Sequence, residues 1–435
     1  MLSVKSLNRG LSDPKLGVMN FLNEVVHRYP NAISFAPGRP LEKNFDVEKS
    51  FSYIKRYLDN ANIESDSQQS YASLGQYGNT KGIIGDILSK LILNDEGIVA
   101  DAASIVATVG CQEAMCLCLL ALAANPGDVV LVEDPAYVGL VGAAKTFGIE
   151  VVGVPTNEDG IVVEQLNATV KKLKEANKTP RLLYVSPDFS NPTGFSSSLA
   201  RRELLLDVTR ELDLMVLEDH AYNYFYYDGA KTPCLKSLPG SEHVIYLGSF
   251  SKSIYPSVRI GYLVADQQVS LEDGEFCFLS DELSKVKSFL TVNSSAINQS
   301  IVAGLIVDQN YSLVDFTAKP RAELKLKRDI MISSLAKFFP KEEVWSREVD
   351  WNVPAGGFFI TMKLPFHVSD DELFSCAEKY GVIWTPMSYF YVDEVLSTSV
   401  RLSFSYVSDA QIVDGIEKLA CFVQEQCARL SNTGV

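Results

Sequence analysis

Three side chains suited to chemistry fall within four positions, Ser249, Ser251 and Lys252, and Arg259 follows seven residues after the lysine. Hydroxyl and guanidinium groups donate charge-assisted hydrogen bonds to phosphate oxygens. A lysine that shares its site with another cation has a lowered pKa, which frees its amine to form a Schiff base with a carbonyl. The set therefore suits a dianionic phosphate with a reactive carbonyl beside it. By themselves the same residues read equally well as a surface loop with a solvated lysine. Ser249-Phe250-Ser251-Lys252 also matches the S-x-x-K of serine acyl-enzymes. That chemistry calls for K-T-G and S-D-N tripeptides further on, and the chain contains neither.

The elements that must hold these groups are legible around them. Residues 244–247 form an apolar run of strand length that stops at Gly248, and residues 260–264 form a second. A short buried strand with a polar end recurs upstream. Residues 105–109 read as a strand, Gly110-Cys111-Gln112-Glu113 as a tight turn and 114–124 as an apolar helix. A strand, a glycine and a helix N-terminus make an anion site, because the first-turn N–H groups lack intrahelical acceptors and the dipole is positive there. Residues 129–132 lead to Glu133-Asp134-Pro135-Ala136-Tyr137, and 182–185 to Ser190-Asn191-Pro192-Thr193-Gly194. Residues 215–217 lead to Glu218-Asp219-His220-Ala221-Tyr222; 150–154 is a further strand, and helical segments such as 200–213 lie between. Such alternation predicts βαβ units and a largely parallel sheet. Ligands of these sheets lie beyond the carboxyl ends of the strands, where every cluster falls.

The whole chain sets bounds. At 435 residues it exceeds one ordinary domain, so two packed lobes are expected. An apolar fraction of 47% and a charged fraction of 21% are those of a soluble globular protein. A net charge of −15 argues against nucleic acid and against anionic membrane surfaces, so an anionic substrate must be met by local arginines. Eight cysteines without framework spacing and four histidines, with no Cys/His cluster along the chain, predict neither disulfides nor a metal site. The longest apolar run, 114–124, is too short to span a bilayer. A reducing, cytosolic setting is expected; Lys5 and Arg9, with no acid before Asp13, leave a short mitochondrial presequence as the alternative.

Residues 19–28 are apolar at helical spacing and lead to Ile33-Ser34-Phe35-Ala36-Pro37-Gly38-Arg39-Pro40. One glycine and two prolines there fix a kinked path on which backbone can approach a ligand, or make a plain entry turn. Residues 47–58 predict a helix and 60–70 a loop. Gly75-Gln76-Tyr77-Gly78-Asn79-Thr80-Lys81-Gly82 is a glycine-rich turn opening an amphipathic helix, 83–93. Residues 270–280 are acidic and irregular, a surface insertion, and 294–307 are helical. A long helix over 319–338 leads to a second unit with strands at 358–364, 382–385 and 400–405 and a last helix at 409–428.

Taken in order, these motifs resemble the fold-type I pyridoxal-phosphate enzymes of the aminotransferase class I/II family, over essentially residues 33–419. The 33–40 stretch is most similar to the 2-aminoadipate and aromatic, kynurenine-type branch. The resemblance implies an α/β fold: a large domain, 49–318, with a mostly parallel seven-stranded sheet between helices, and a smaller α+β domain, 319–435. An N-terminal arm, 1–48, would pack with the small domain. Pyridoxal 5′-phosphate would be the cofactor. Lys252 would form its Schiff base and then shuttle the proton between the substrate Cα and the cofactor. Asp219 would sit against the pyridine nitrogen and keep it protonated. Asn191 and Tyr222 would hydrogen-bond the phenolic oxygen, and Tyr137 would stack on the ring. Gly110, Cys111, Gln112, Ser249, Ser251 and Arg259 would cradle the phosphate. Tyr77 resembles a tyrosine that reaches the phosphate of the neighbouring subunit, which implies a homodimer with shared active sites. Gly38 would let the N-terminal segment close over the substrate, and Arg401 would take the α-carboxylate as a bidentate fork. His220, next to Asp219, points by strand alternation to the other face and is read as structural.

The family often has Pro-Gly-x-x-Phe where this chain has Pro386-Met387-Ser388-Tyr389-Phe390, which leaves that turn in question. The activity implied is transfer of the amino group of an L-amino acid, 2-aminoadipate or an aromatic one, to a 2-oxo acid such as 2-oxoglutarate, by a ping-pong route. Arg39 would meet an acidic side chain; Phe35 or Tyr71 would favour an aromatic one. The same pocket also suits a β-lyase or another elimination enzyme. A catalytically silent regulatory protein of this fold is disfavoured by the presence of Lys252, Asp219 and Arg401 together.

Overall fold

Apolar runs set the element order in this computed structural model, which describes residues 2–3, 6–64 and 70–433. Helix α1 (Val18–Arg28) leads into a two-residue strand β1 (Ile33–Ser34), and helices α2 (Ser50–Glu64), α3 (Tyr71–Leu74) and α4 (Gly85–Glu96) follow. Then strands and helices alternate: β2 (Ile105–Thr108), α5 (Cys111–Leu122), β3 (Asp128–Asp134), α6 (Val138–Phe147), β4 (Glu150–Asn157), β5 (Gly160–Ile161), α7 (Val163–Glu175), β6 (Thr179–Val185), α8 (Leu199–Glu211) and β7 (Met215–Asp219). Strands β8 (Val244–Ser249) and β9 (Gly261–Val264) complete the large sheet. A hairpin, β10 (Gln268–Ser270) and β11 (Phe276–Phe278), precedes helices α9 (Leu279–Leu290), α10 (Ala296–Asp308) and α11 (Ala318–Phe338). The last part holds β12 (Asp350–Trp351), β13 (Phe359–Val368), α12 (Asp370–Tyr380), β14 (Val382–Ile383), β15 (Thr385–Pro386), β16 (Ser397–Ser403) and α13 (Asp409–Thr433).

The large sheet runs β2-β9-β8-β7-β6-β3-β4-β5. Pairings from β8 through β7, β6 and β3 to β4 are parallel, and β9 runs against both of its neighbours. Seven strands were expected; the eighth is the two-residue β5, paired antiparallel with β4 through a turn at Gly160, whose φ of +88° suits glycine. Both faces are covered. Val130, Val132, Leu182, Tyr184, Leu217, Ile245 and Leu247 pack with α5 and α6, whereas their strand neighbours Val129, Leu131, Leu183, Val216 and Val244 pack with α7 and α8. That two-sided burial is why the strands read as continuous apolar runs.

A four-stranded sheet, β12-β13-β16-β15, forms a smaller α+β unit with α12 and α13. Strand β1 pairs in parallel with β14, fixing residues 33–34 beside 382–383. Two further expectations change. The 60–70 loop is helical as far as Glu64, and residues 65–69, like Lys5, lie outside the described residues. The 270–280 insertion is a hairpin, turned at Asp273-Gly274 with Gly274 at φ +87°. No helix among the described residues is long and apolar enough to cross a membrane.

Candidate active site

The polar ends of β2, β3, β6, β7 and β8 meet beyond the carboxyl edge of the large sheet. At β2 the chain turns through Gly110, φ +76°, and enters α5 at Cys111, three residues earlier than the apolar run alone suggests. Glu113 explains the early start: it takes the Val109 N–H at 2.6 Å and a buried ion pair from Lys287 at 2.8 Å, pinning the turn from behind. A Cβ on Gly110 would lie 2.5 Å from the Arg259 guanidinium, and one on Gly261 would lie 2.7 Å from the Cys111 nitrogen. Glycine at both places brings Arg259 and the start of β9 against the first turn of α5. Arg259 donates to the Val109 carbonyl at 3.1 Å, and the Ser249 hydroxyl accepts the Ser251 N–H at 3.3 Å. One end of the cleft thus collects N–H groups, hydroxyls and a guanidinium. Gln112 reaches back to the Gly139 carbonyl at 2.8 Å, and the Tyr137 hydroxyl lies 3.4 Å from its amide oxygen. Burial pushes the Tyr137 phenol up to about 12, with Asp219 and Cys111 adding to it.

Asp219 ends β7, 6% exposed. Its Oδ2 accepts the Tyr184 hydroxyl at 2.7 Å, and its Oδ1 accepts the Ala221 N–H at 3.1 Å with Cys111 Sγ at 3.8 Å. Burial raises the Asp219 carboxyl above its ordinary pKa, opposed by the Tyr184 bond, by His220 and by the Ala221 and Cys111 contacts. His220 faces the opposite side of the sheet, Nε2 2.8 Å from Glu218. There Glu218, His220 and Cys234 converge, a trio that sequence spacing does not reveal. The Glu218 oxygens already accept the N–H groups of Leu235 at 2.6 Å and Lys236 at 2.9 Å, so the trio reads as a braced core.

Lys252 follows β8 and donates to the Gly38 carbonyl at 2.7 Å. Its Nζ lies 5.8 Å from the Tyr222 ring and 6.0 Å from that of Phe358. Burial, together with the charges of Arg401, Arg39 and Arg259, lowers its pKa to about 8. Gly38 can approach because it lacks a Cβ, which would sit 2.3 Å from the Phe359 ring. Tyr222 is buried against Phe358 and Phe359, and that burial raises its phenol, while Arg401 and Asn191 draw it back.

Arg401, on β16, is 5% exposed. It donates to Asn191 Oδ1 at 2.6 Å and to the Ala36 carbonyl at 2.7 Å, between the rings of Phe359 at 4.3 Å and Phe390 at 4.7 Å. Its Nε is buried without a partner among the described residues, and burial lowers the guanidinium to about 10. The doubtful turn at Pro386 is resolved: Met387–Phe390 coil into a 3-10 turn that carries Phe390 onto Arg401. Tyr77 is not brought to this cleft; its side chain is 81% exposed. Sequence reasoning missed Tyr184, Phe359 and Phe390, and the Glu113–Lys287 brace. Tyr184 carries a weak signal, a polar tip inside a buried strand.

Comparison with known proteins places the chain in a family. The profile of the family "aminotransferase class I and II" matches residues 60–419. The chain is 40% identical over 424 residues to the (S)-3,5-dihydroxyphenylglycine transaminase of Amycolatopsis orientalis, covering 97% of this chain and 94% of that protein. Kynurenine aminotransferase of Pyrococcus horikoshii, solved with PMP, superposes with a TM-score of 0.81 at 30% identity over 98% of this chain and 97% of its own. LysN, the alpha-aminoadipate aminotransferase of Thermus thermophilus, solved with N-(5′-phosphopyridoxyl)-L-leucine, superposes with a TM-score of 0.80 at 26% identity, over 98% and 100%.

The donor set fits the cofactor those structures hold. N–H groups, hydroxyls and a guanidinium that suit an anion gather at one end, a buried carboxylate and a part-neutral amine lie within the cleft, and the buried Arg401 guanidinium, its Nε without a partner among the described residues, stands on β16. The chain is a pyridoxal 5′-phosphate-dependent aminotransferase and belongs to the aminotransferase class I and II family.

Proposed function

We propose that the enzyme moves the amino group of an L-amino acid with an aromatic side chain, or of 2-aminoadipate, to 2-oxoglutarate by a ping-pong route. Bound pyridoxal phosphate supplies an electron sink for the bonds at the substrate Cα. The chain's own residues do the rest. Arg401 exchanges its Asn191 and Ala36 contacts for the substrate carboxylate, a planar fork in an apolar clamp. Lys252, with its pKa lowered to about 8, carries the cofactor and afterwards takes and returns the Cα proton. Asp219 holds the ring nitrogen protonated, and Asn191 and Tyr222 donate toward the phenolic oxygen. Gly110, Cys111, Gln112, Ser249, Ser251 and Arg259 hold the phosphate. The exposed Tyr77 is assigned to the cleft of a partner in a homodimer.

The observation that supports the substrate reading is a cavity of about 260 Å³ that has Lys252 in its lining. Its walls include Leu41, Phe45, Phe225, Ile254, Phe316 and Leu324. An aromatic-lined space suits an aromatic side chain, in keeping with the relatives named for dihydroxyphenylglycine and kynurenine. Lys43 and Lys319 in the same wall suit an anionic far end, as in 2-aminoadipate. A panel of amino acids with 2-oxoglutarate tests the assignment. Aromatic amino acids or 2-aminoadipate should exceed alanine and aspartate at least tenfold in kcat/KM, with parallel double-reciprocal lines. A preference for small side chains would overturn it.

A further inference from the structure

Asp219 is held by three different elements. The Ala221 N–H beyond its own strand takes Oδ1 at 3.1 Å, Cys111 Sγ on α5 stands 3.8 Å from the same oxygen, and the Tyr184 hydroxyl on β6 takes Oδ2 at 2.7 Å. Tyr184 pairs in register with Leu217, two residues before Asp219, so both side chains stand on one face and the phenol reaches forward along the sheet. Tyr184 is 1% exposed, in a layer otherwise made of aliphatic side chains such as Leu182, Leu217 and Leu247. A phenol buried there costs free energy unless its hydroxyl is hydrogen-bonded. Its hydroxyl meets a carboxylate whose other neighbours are a weak thiol donor and one backbone N–H.

We propose that Tyr184 is a positioning residue for the cofactor's ring nitrogen: by donating to Asp219 Oδ2 it keeps that carboxylate ionised and aimed, so that the proton shared between carboxylate and ring stays on the nitrogen. The proposal rests on the reading of Asp219 as the partner of that nitrogen. A buried acid facing a pyridine nitrogen forms a coupled pair that exists either as carboxylate with pyridinium or as neutral acid with neutral ring. Burial favours the neutral form. A hydrogen bond donated to the carboxylate favours the ionic one, and of the three donors to Asp219 the phenol makes the shortest bond. The assignment gives Tyr184 no contact with substrate or with the reacting atoms; it acts through Asp219.

The test compares two ligands of the apoenzyme, pyridoxal 5′-phosphate and its 1-deaza analogue, which carries C–H in place of the ring nitrogen. The ratio of their dissociation constants reads how strongly Asp219 demands a protonated nitrogen. A purely structural contribution of Tyr184 would weaken both ligands alike and leave the ratio unchanged. Losing a hydrogen bond to a charged group corresponds to about tenfold to a hundredfold, so Tyr184→Phe should shrink the ratio by at least tenfold. In the loaded Tyr184→Phe enzyme the ring ¹⁵N signal should move toward the value of a neutral pyridine. 4-Aminophenylalanine at position 184 keeps the ring and an N–H donor, and should hold the ratio within about threefold of wild type. That variant also preserves the packing if Tyr184→Phe fails to fold, and a collapsed ratio in it would overturn the proposal. Asp219→Asn separates the two readings. If it abolishes the discrimination while Tyr184→Phe leaves it intact, Asp219 keeps its role and Tyr184 loses the one proposed. If Asp219→Asn leaves the ratio unchanged, the ring-nitrogen assignment itself falls.

Discussion

Removing Arg401 tests the substrate side of the cleft. The guanidinium is 5% exposed, clamped between Phe359 and Phe390, and bound to Asn191 and the Ala36 carbonyl. With its pKa lowered only to about 10, it stays a cation through pH 8 despite burial. A substrate carboxylate that enters without it is a buried charge lacking its partner, which costs ~3–5 kcal/mol. At 1.36 kcal/mol per decade, that is a loss of about 10²- to 10⁴-fold in kcat/KM. Arg401→Ala should impose this loss on every amino acid and every 2-oxo acid alike, while single-turnover reaction with simple amines should change little. Arg401→Lys should recover only part, because an ammonium cannot reproduce the fork. The assay is kcat/KM for a matched set of neutral, aromatic and acidic amino acids and one carboxyl-free amine. A loss confined to acidic side chains would refute the reasoning and make Arg401 a specificity residue, with Arg39 the next place to seek the α-carboxylate's partner.

Asp219→Asn should retain the cofactor, whose phosphate contacts are intact, yet lower the transamination rate by two or more decades, of order 10², the usual scale for a lost electrostatic stabiliser; turnover at the wild-type rate would place the partner of the ring nitrogen elsewhere. Because burial and three arginines lower Lys252 to about 8, its neutral, nucleophilic fraction in the apoenzyme grows as pH rises through that value. Stopped-flow capture of pyridoxal phosphate should therefore accelerate between about pH 7 and 9 and then level off, and a midpoint near that of free lysine would contradict the lowered pKa. Gly38→Ala sets a methyl 2.3 Å from the Phe359 ring, so the 36–40 segment must shift. Spectrally measured cofactor content should stay unchanged while KM for amino acids rises.

The proposed cofactor cradle could be read from the sequence because each of its groups lies just past a short apolar run. Gly110, Asn191 and Lys252 follow strands of the large sheet and Asp219 ends one, and strand ends must share an edge where the strands run parallel. Groups that act through the far side of a packed element carry no such mark. Lys287 joins Glu113 across 174 positions with nothing local to announce it. Tyr184 sits in a run that any buried strand would show, and only the register of β6 on β7 brings its hydroxyl to Asp219. The 270–280 stretch was read as irregular because its acidic composition hides the Asp273-Gly274 turn that pairs β10 with β11. Phe390 illustrates a third case. The missing glycine in the 386–390 motif made its turn doubtful, and the 3-10 coil still delivers the aromatic ring to Arg401.

The central claim is that Lys252 is the residue that carries the cofactor. Borohydride reduction of the loaded enzyme fixes the cofactor–lysine bond irreversibly, and peptide mapping by mass spectrometry then locates the pyridoxyl group. The account expects it on Lys252, in the peptide that follows β8, with Lys252→Ala unlabelled but still able to bind the free cofactor through the cradle at Gly110, Ser249 and Arg259. Label on any other lysine, or on Lys252→Ala, would contradict it.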